Sequence, residues 1–165
     1  MFDGIIGSAI GTTITLLLGF ILYKEKLSFK IIYEKRIVLL EKLYELLCKT
    51  NRSLETFTST FQDDRPVEEK IKEFKKYFIS LDRLFYRKKI ILEENTCASI
   101  ENIISLIDDA YKSYYKWDVS RKDRDRSNIL MENWEKTQKK VFEEIPKVKK
   151  ELEKEFRKSL RMNTF

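Results

Sequence analysis

Histidine is absent from the 165 residues. That removes the commonest general base near neutral pH, the usual proton shuttle and the commonest zinc ligand. Cysteine is scarce as well. Cys48 and Cys97 lie far apart with no CxxC spacing, so they read as two buried thiols in a reducing compartment, not as a disulfide framework or metal site. Proline occurs twice and glycine four times. Sandwiches and barrels need many Gly/Pro turns, so an all-β fold is excluded and long helices with short polar connections are expected. The sequence contains no GxxxxGK[ST], no GxSxG and no zinc-ligand spacing. Neither a cofactor nor a bound metal is expected, and the chain does not read as an enzyme.

All four glycines, Gly4, Gly7, Gly11 and Gly19, fall in the stretch GIIGSAIGTTITLLLGF, the most apolar part of the chain. No charge occurs from Ile5 to Tyr23. As a helix this run covers about 28 Å, close to the thickness of a bilayer's hydrocarbon core. It begins Met-Phe-Asp and is followed by Tyr-Lys-Glu-Lys, without the basic start and small-residue cleavage site of a signal peptide. The expectation is an uncleaved anchor over residues 1–23. Lys24, Lys26, Lys30, Lys35 and Arg36 follow it, against Asp3 before it. That charge bias places the N-terminus outside and residues 24–165 in the cytoplasm, at the inner membrane.

At helical spacing Gly4, Ser8, Gly11, Thr12, Thr15 and Gly19 share one arc of roughly 100°. Ile6, Ile10, Ile14, Leu17 and Ile21 occupy the opposite side. Small residues let helix backbones approach closely, and hydroxyls can bond across helices or to water. This small, weakly polar face is expected to meet copies of itself, in a ring of several subunits whose inner surface it lines.

Four apolar-periodic segments follow. The first, about 26–61, carries Tyr33, Leu40, Leu43, Leu47, Leu54, Phe57 and Phe61, with Thr50 filling one slot. Gln-Asp-Asp-Arg-Pro ends it, where Asp63 or Asp64 can cap the next helix and Pro66 can occupy its first turn. The second, about 66–87, has Val67, Ile71, Phe74, Phe78, Leu81 and Phe85 in register. The stretch 88–96 either extends it or forms a short connection. The third, about 97–117, aligns Cys97, Ile100, Ile104, Ile107, Tyr111 and Tyr114. The polar run 118–128 breaks the pattern. Met131, Trp134, Val141, Ile145, Val148, Leu152 and Phe156 mark a fourth region, in which Pro146 should impose a kink or a new start. The stripes are too broad for a two-stranded zipper, so an antiparallel bundle of about four helices is expected.

The charged motifs favour solvated surface over chemistry. Adjacent helical residues point about 100° apart, so Asp108-Asp109, like Glu93-Glu94 and Glu143-Glu144, is poorly placed to share one ion. Tyr111, Tyr114, Tyr115 and Trp117 beside Lys112 and Lys116 have the makings of a base-stacking platform, but their helical spacing suits a core stripe better. The Lys/Arg residues of 121–126 alternate with Asp123 and Asp125, which weakens phosphate binding. With 33 basic against 27 acidic residues, net +6, some of the basic excess can lie against anionic lipid headgroups.

A membrane helix followed by a helical cytosolic domain of this size, ending in an Arg-bearing helix, resembles the small membrane-anchored accessory protein of type VI-B, RNA-targeting CRISPR loci. The resemblance covers the whole chain and rests on architecture, size and the small-residue face. It implies a divergent HEPN-like helical bundle and a ring-like oligomer forming a membrane pore. It also implies a role in antiphage defence alongside an RNA-guided nuclease or its RNA products. HEPN ribonucleases use an Arg followed a few residues later by His. The counterpart here is Glu-Phe-Arg-Lys-Ser-Leu-Arg-Met-Asn, with Arg157 and, six on, Asn163. Asn cannot serve as acid or base, so ribonuclease activity is not expected. The alternative reading is a membrane-tethered helical adaptor that recruits a cytosolic partner.

Overall fold

A computed structural model describes the backbone of residues 3–59, 65–120 and 127–161, and side chains within 19–20, 22–59, 65–119 and 131–158. Every regular element among the described residues is helical. Helix α1 (Asp3–Thr58) is continuous. It is followed by α2 (Val67–Lys88), a 3-10 turn (Lys89–Ile91), α3 (Glu94–Ser120), α4 (Ser127–Lys139), a π turn (Lys140–Glu144) and α5 (Ile145–Arg161). The chain divides into two units, residues 1–38 and 39–165.

The expected membrane span is corrected. Among the described residues no helix is long and apolar enough to cross a membrane. The physical reason lies in the described part of α1 past Tyr23. Lys24, Glu25, Lys26, Lys30, Glu34, Lys35 and Arg36 follow within a few turns, and each would have to be desolvated in hydrocarbon. The side chains of residues 3–18 lie outside the described residues.

The second unit is a bundle whose helix directions follow from its contacts. Phe57, near the end of α1, meets Phe74 at the start of α2, with ring centroids 5.3 Å apart, and Tyr114 near the end of α3 at 4.8 Å. Phe74 stacks on Tyr111 at 5.2 Å. Trp117 at the end of α3 packs on Trp134 of α4 at 4.7 Å. Tyr44 of α1 meets Phe156 of α5, and the Gln138 side chain donates to the Thr58 carbonyl at 2.8 Å. Sequence neighbours therefore run antiparallel, the arrangement that short connections favour.

The apolar register holds in each helix. Leu40, Leu43, Leu47, Leu54 and Phe57 of α1 are buried, as are Phe74, Leu81 and Phe85 of α2 and Ile100, Ile104, Ile107 and Tyr114 of α3. Val141, Ile145, Leu152 and Phe156 close the core. Met131, expected inside, is exposed, and so is Val67. Three threonines sit fully buried among these side chains. Thr50, Thr58 and Thr137 each donate their hydroxyl to the carbonyl four residues back, on Leu46, Leu54 and Asn133. That bond satisfies the only side-chain donor, so threonine fills an apolar slot at little cost.

Helix ends follow local chemistry. Pro66 occupies the cap of α2, one residue before the expected first turn, and its carbonyl accepts from the Glu69 and Lys70 amides. Glu68 and Glu69 in the first turn and Arg87 and Lys88 in the last complement the helix dipole. Asp63 and Asp64 lie outside the described residues, as do Phe61 and 121–126. The stretch 88–96 resolves as the 3-10 turn and the start of α3. The Pro146 distortion falls just before it: the Ile145 amide reaches back five residues to Lys140. Proline has no N–H for the Phe142 carbonyl and its ring crowds that group, and a π turn relieves both.

Phe57→Ala, which removes the ring shared by α1, α2 and α3, should cost about 3–5 kcal/mol. Ile90→Ala, at a position 91% exposed, should stay within about 0.5 kcal/mol. Urea unfolding followed by circular dichroism measures both.

Candidate functional site

Two surfaces have the chemistry to act on something outside the chain. The first is the described part of α1 in the N-terminal unit. Phe20, Leu22, Tyr23, Leu27, Phe29, Ile31, Ile32 and Val38 are all exposed, the aromatics among them by two thirds. Lys24, Lys26, Lys30 and Lys35 are exposed among them. The helix forms here because the segment contains no proline and, past Gly19, no glycine, so nothing interrupts it. A Cβ on Gly19 would meet nothing within 4 Å, so no contact inside the chain requires glycine there. Gly4, Ser8, Gly11, Thr12 and Thr15 are on helical backbone, and their side-chain surroundings lie outside the described residues.

The second is a cleft of about 310 Å³ between α1 and α2, lined by Lys49, Arg52, Ser53, Thr56, Arg65, Glu73 and Tyr77. All seven belong to the second unit. Arg65 bonds Glu73 at 2.9 Å across the mouth, and Lys49 pairs with Glu45. The sequence did not single these residues out. They come from α1, from Arg65 just before α2 and from α2 itself, and only the pairing of α1 with α2 brings them together.

Other sequence candidates resolve into structural roles. Tyr111, Tyr114 and Trp117 are packed in or against the core, while Tyr115 is exposed, so the aromatics of α3 do not form one platform. Asp108 pairs with Lys112 at 2.5 Å and Asp109 with Lys140 at 3.1 Å, which splits that carboxylate pair between two partners. Among the described residues no three His, Cys, Asp or Glu side chains are grouped to hold a metal. Cys48 and Cys97 are free and half-buried, not fully buried as expected. Burial pushes the Cys97 thiol up, and its Sγ lies 3.5 Å from the Lys89 carbonyl. Arg157 is exposed and makes no ion pair among the described residues, while Asn163 lies outside them. Glu153, one turn before Arg157, accepts a hydrogen bond from the Tyr44 hydroxyl.

That bond links the first and last helices of the second unit. Tyr44 is half-buried, edge-on to Phe156, with Lys149 Nζ 5.6 Å from its ring centre. Its phenol is held well above its ordinary value, first by donation to the Glu153 carboxylate and then by burial. Ionising Tyr44 would remove the donor and leave two anions facing each other.

No family model matches the chain, and no curated protein or solved structure is significantly similar to it.

A raised phenol stabilises the fold fully below the ordinary tyrosine value of about 10 and progressively less above it. Tyr44→Phe should cost roughly 1–2 kcal/mol at neutral pH. Its stability should also fall less steeply than that of the parent as pH rises past about 10. Urea midpoints measured along an alkaline pH series check both statements.

Proposed function

We propose that this protein is a non-catalytic helical effector that self-associates through the first part of α1 and engages and perturbs a membrane surface there, as an accessory of antiphage defence. The observation that carries the reading is the run of exposed large apolar side chains from Phe20 to Val38. Exposed apolar surface of this extent marks an interaction site. Aromatic residues interleaved with lysines suit the headgroup boundary, where rings bury their bodies and ammonium groups meet anionic lipid. The small-residue face of Gly4, Ser8, Gly11, Thr12, Thr15 and Gly19 supports close approach of a second helix. The defence setting, with an RNA-guided nuclease or its RNA products as the signal, rests on the family resemblance. A lined pore would need each subunit to cross the bilayer, so the proposal is confined to association with the membrane and its perturbation.

Flotation of the full chain with phosphatidylserine-containing vesicles, together with native mass spectrometry, tests this reading. The protein should float, release an entrapped dye and run as an oligomer. Combined Gly11→Leu and Thr15→Leu should reduce the oligomer at least tenfold. Serine at Phe20, Leu22, Leu27 and Phe29 together should abolish flotation. Protein that stays monomeric and sediments away from vesicles would sink the proposal. Monomer that captures a cytosolic partner would instead establish the adaptor reading.

A further inference from the structure

We propose that the cleft between α1 and α2 binds a phosphorylated sugar, either free or as part of a nucleotide. The inference is independent of the membrane reading, since the cleft lies wholly within residues 39–165. The charge of the lining comes first. Lys49, Arg52 and Arg65 supply three cations, against the carboxylates of Glu73 in the lining and of Glu45 beside Lys49. Arg52 makes no ion pair among the described residues and is exposed, so its five-donor guanidinium remains open to a phosphate. Lys49 and Arg65 already hold carboxylates at the surface, at Glu45 and Glu73. Exposed pairs of that kind are weak enough to rearrange around a dianion.

The hydroxyls decide what else the ligand carries. Ser53 donates its proton to the Thr50 carbonyl at 2.9 Å, and Thr56 donates to the Arg52 carbonyl at 2.8 Å. Their oxygens are therefore left as acceptors, as is the outer edge of the Glu73 carboxylate. Inorganic phosphate near neutral pH carries only one or two O–H donors on the same small ion, whereas a sugar presents several hydroxyls spread over the length of the cleft. The cleft thus combines donors for an anion with acceptors for hydroxyls. At about 310 Å³ it has room for far more than inorganic phosphate and falls at the lower end of small-ligand sites. Tyr77 completes the wall, and its ring is the one aromatic group of the lining on which a base attached to the sugar could stack.

Isothermal titration of the full chain with ribose 5-phosphate, AMP, inorganic phosphate and ribose, each separately, provides the test. Ribose 5-phosphate and AMP should bind saturably and weaken as salt is raised. Inorganic phosphate should bind at least tenfold more weakly, and ribose should give no heat. Arg52→Glu should weaken ribose 5-phosphate at least tenfold, while Lys116→Glu, the same charge change at an exposed position of α3, should leave it unchanged. Circular dichroism confirms that both variants remain folded. Equal affinity for AMP and ribose 5-phosphate identifies the sugar phosphate as the recognised unit, and tighter AMP binding that Tyr77→Ala removes identifies a nucleotide. The proposal is overturned by absence of saturable binding, by inorganic phosphate binding as tightly as ribose 5-phosphate, or by an affinity that Lys116→Glu lowers as much as Arg52→Glu.

Discussion

Burial of one edge of α1, from Leu39 to Phe57, is the contact on which the rest of the second unit depends. Leu40, Leu43, Leu47, Leu54 and Phe57 lie along that edge in one core cluster, where α1 meets α2 and α3 through Phe57 and α5 through the neighbouring Tyr44. Phe57 alone touches rings from α2 and α3. Isolated helices of ordinary length are marginal in water, so α2 through α5 owe their stability largely to burial in the core that they share with this edge. Its polar cost is confined to the Asn51 Oδ1, which is buried without a hydrogen-bond partner among the described residues. Thr50 and Thr58, which interrupt it, bond their own helix and leave no donor unsatisfied.

The same packing that hides the apolar edge sets the polar surface in place. Once Phe57 meets Phe74, the outward faces of α1 and α2 flank each other, and Lys49, Arg52 and Arg65 come together around Glu73. On another side, α5 carries Glu153 to the Tyr44 hydroxyl. Cleft and half-buried phenol bond are thus consequences of one core. They differ in character. The Tyr44 bond closes a contact and serves stability, while the cleft leaves cations and acceptors facing water, which is the condition for recognising a solute.

The N-terminal unit behaves differently. Its described side chains, apolar and charged alike, are exposed apart from the half-buried Tyr33, Arg36 and Ile37. Within a folded chain apolar groups are hidden wherever a neighbour is available, so a run of them in water implies a neighbour supplied from outside. The expectation of a spanning helix gave way because the described residues after Tyr23 carry charge on nearly every turn. What persists is an amphiphilic helix, and with it the proposal of contact with lipid and with other copies.

Helix content, the apolar register and the positions of the breaks were legible in the sequence, because each depends on residues three or four apart or on a single proline. Leu43, Phe74, Ile107 and Leu152 could be assigned to the core from spacing alone. Which polar residues meet could not. Glu153 bonds Tyr44, 109 residues distant in sequence, a contact that no helical spacing marks. Cys48 and Cys97 were expected to be buried and are only half so. The π turn ahead of Pro146 was foreseen as a kink but not in its form. Local periodicity determined that the chain is a set of amphipathic helices. Only tertiary packing decided which outward faces became neighbours, because helical spacing says which side of a helix turns inward and nothing about what stands beside the other.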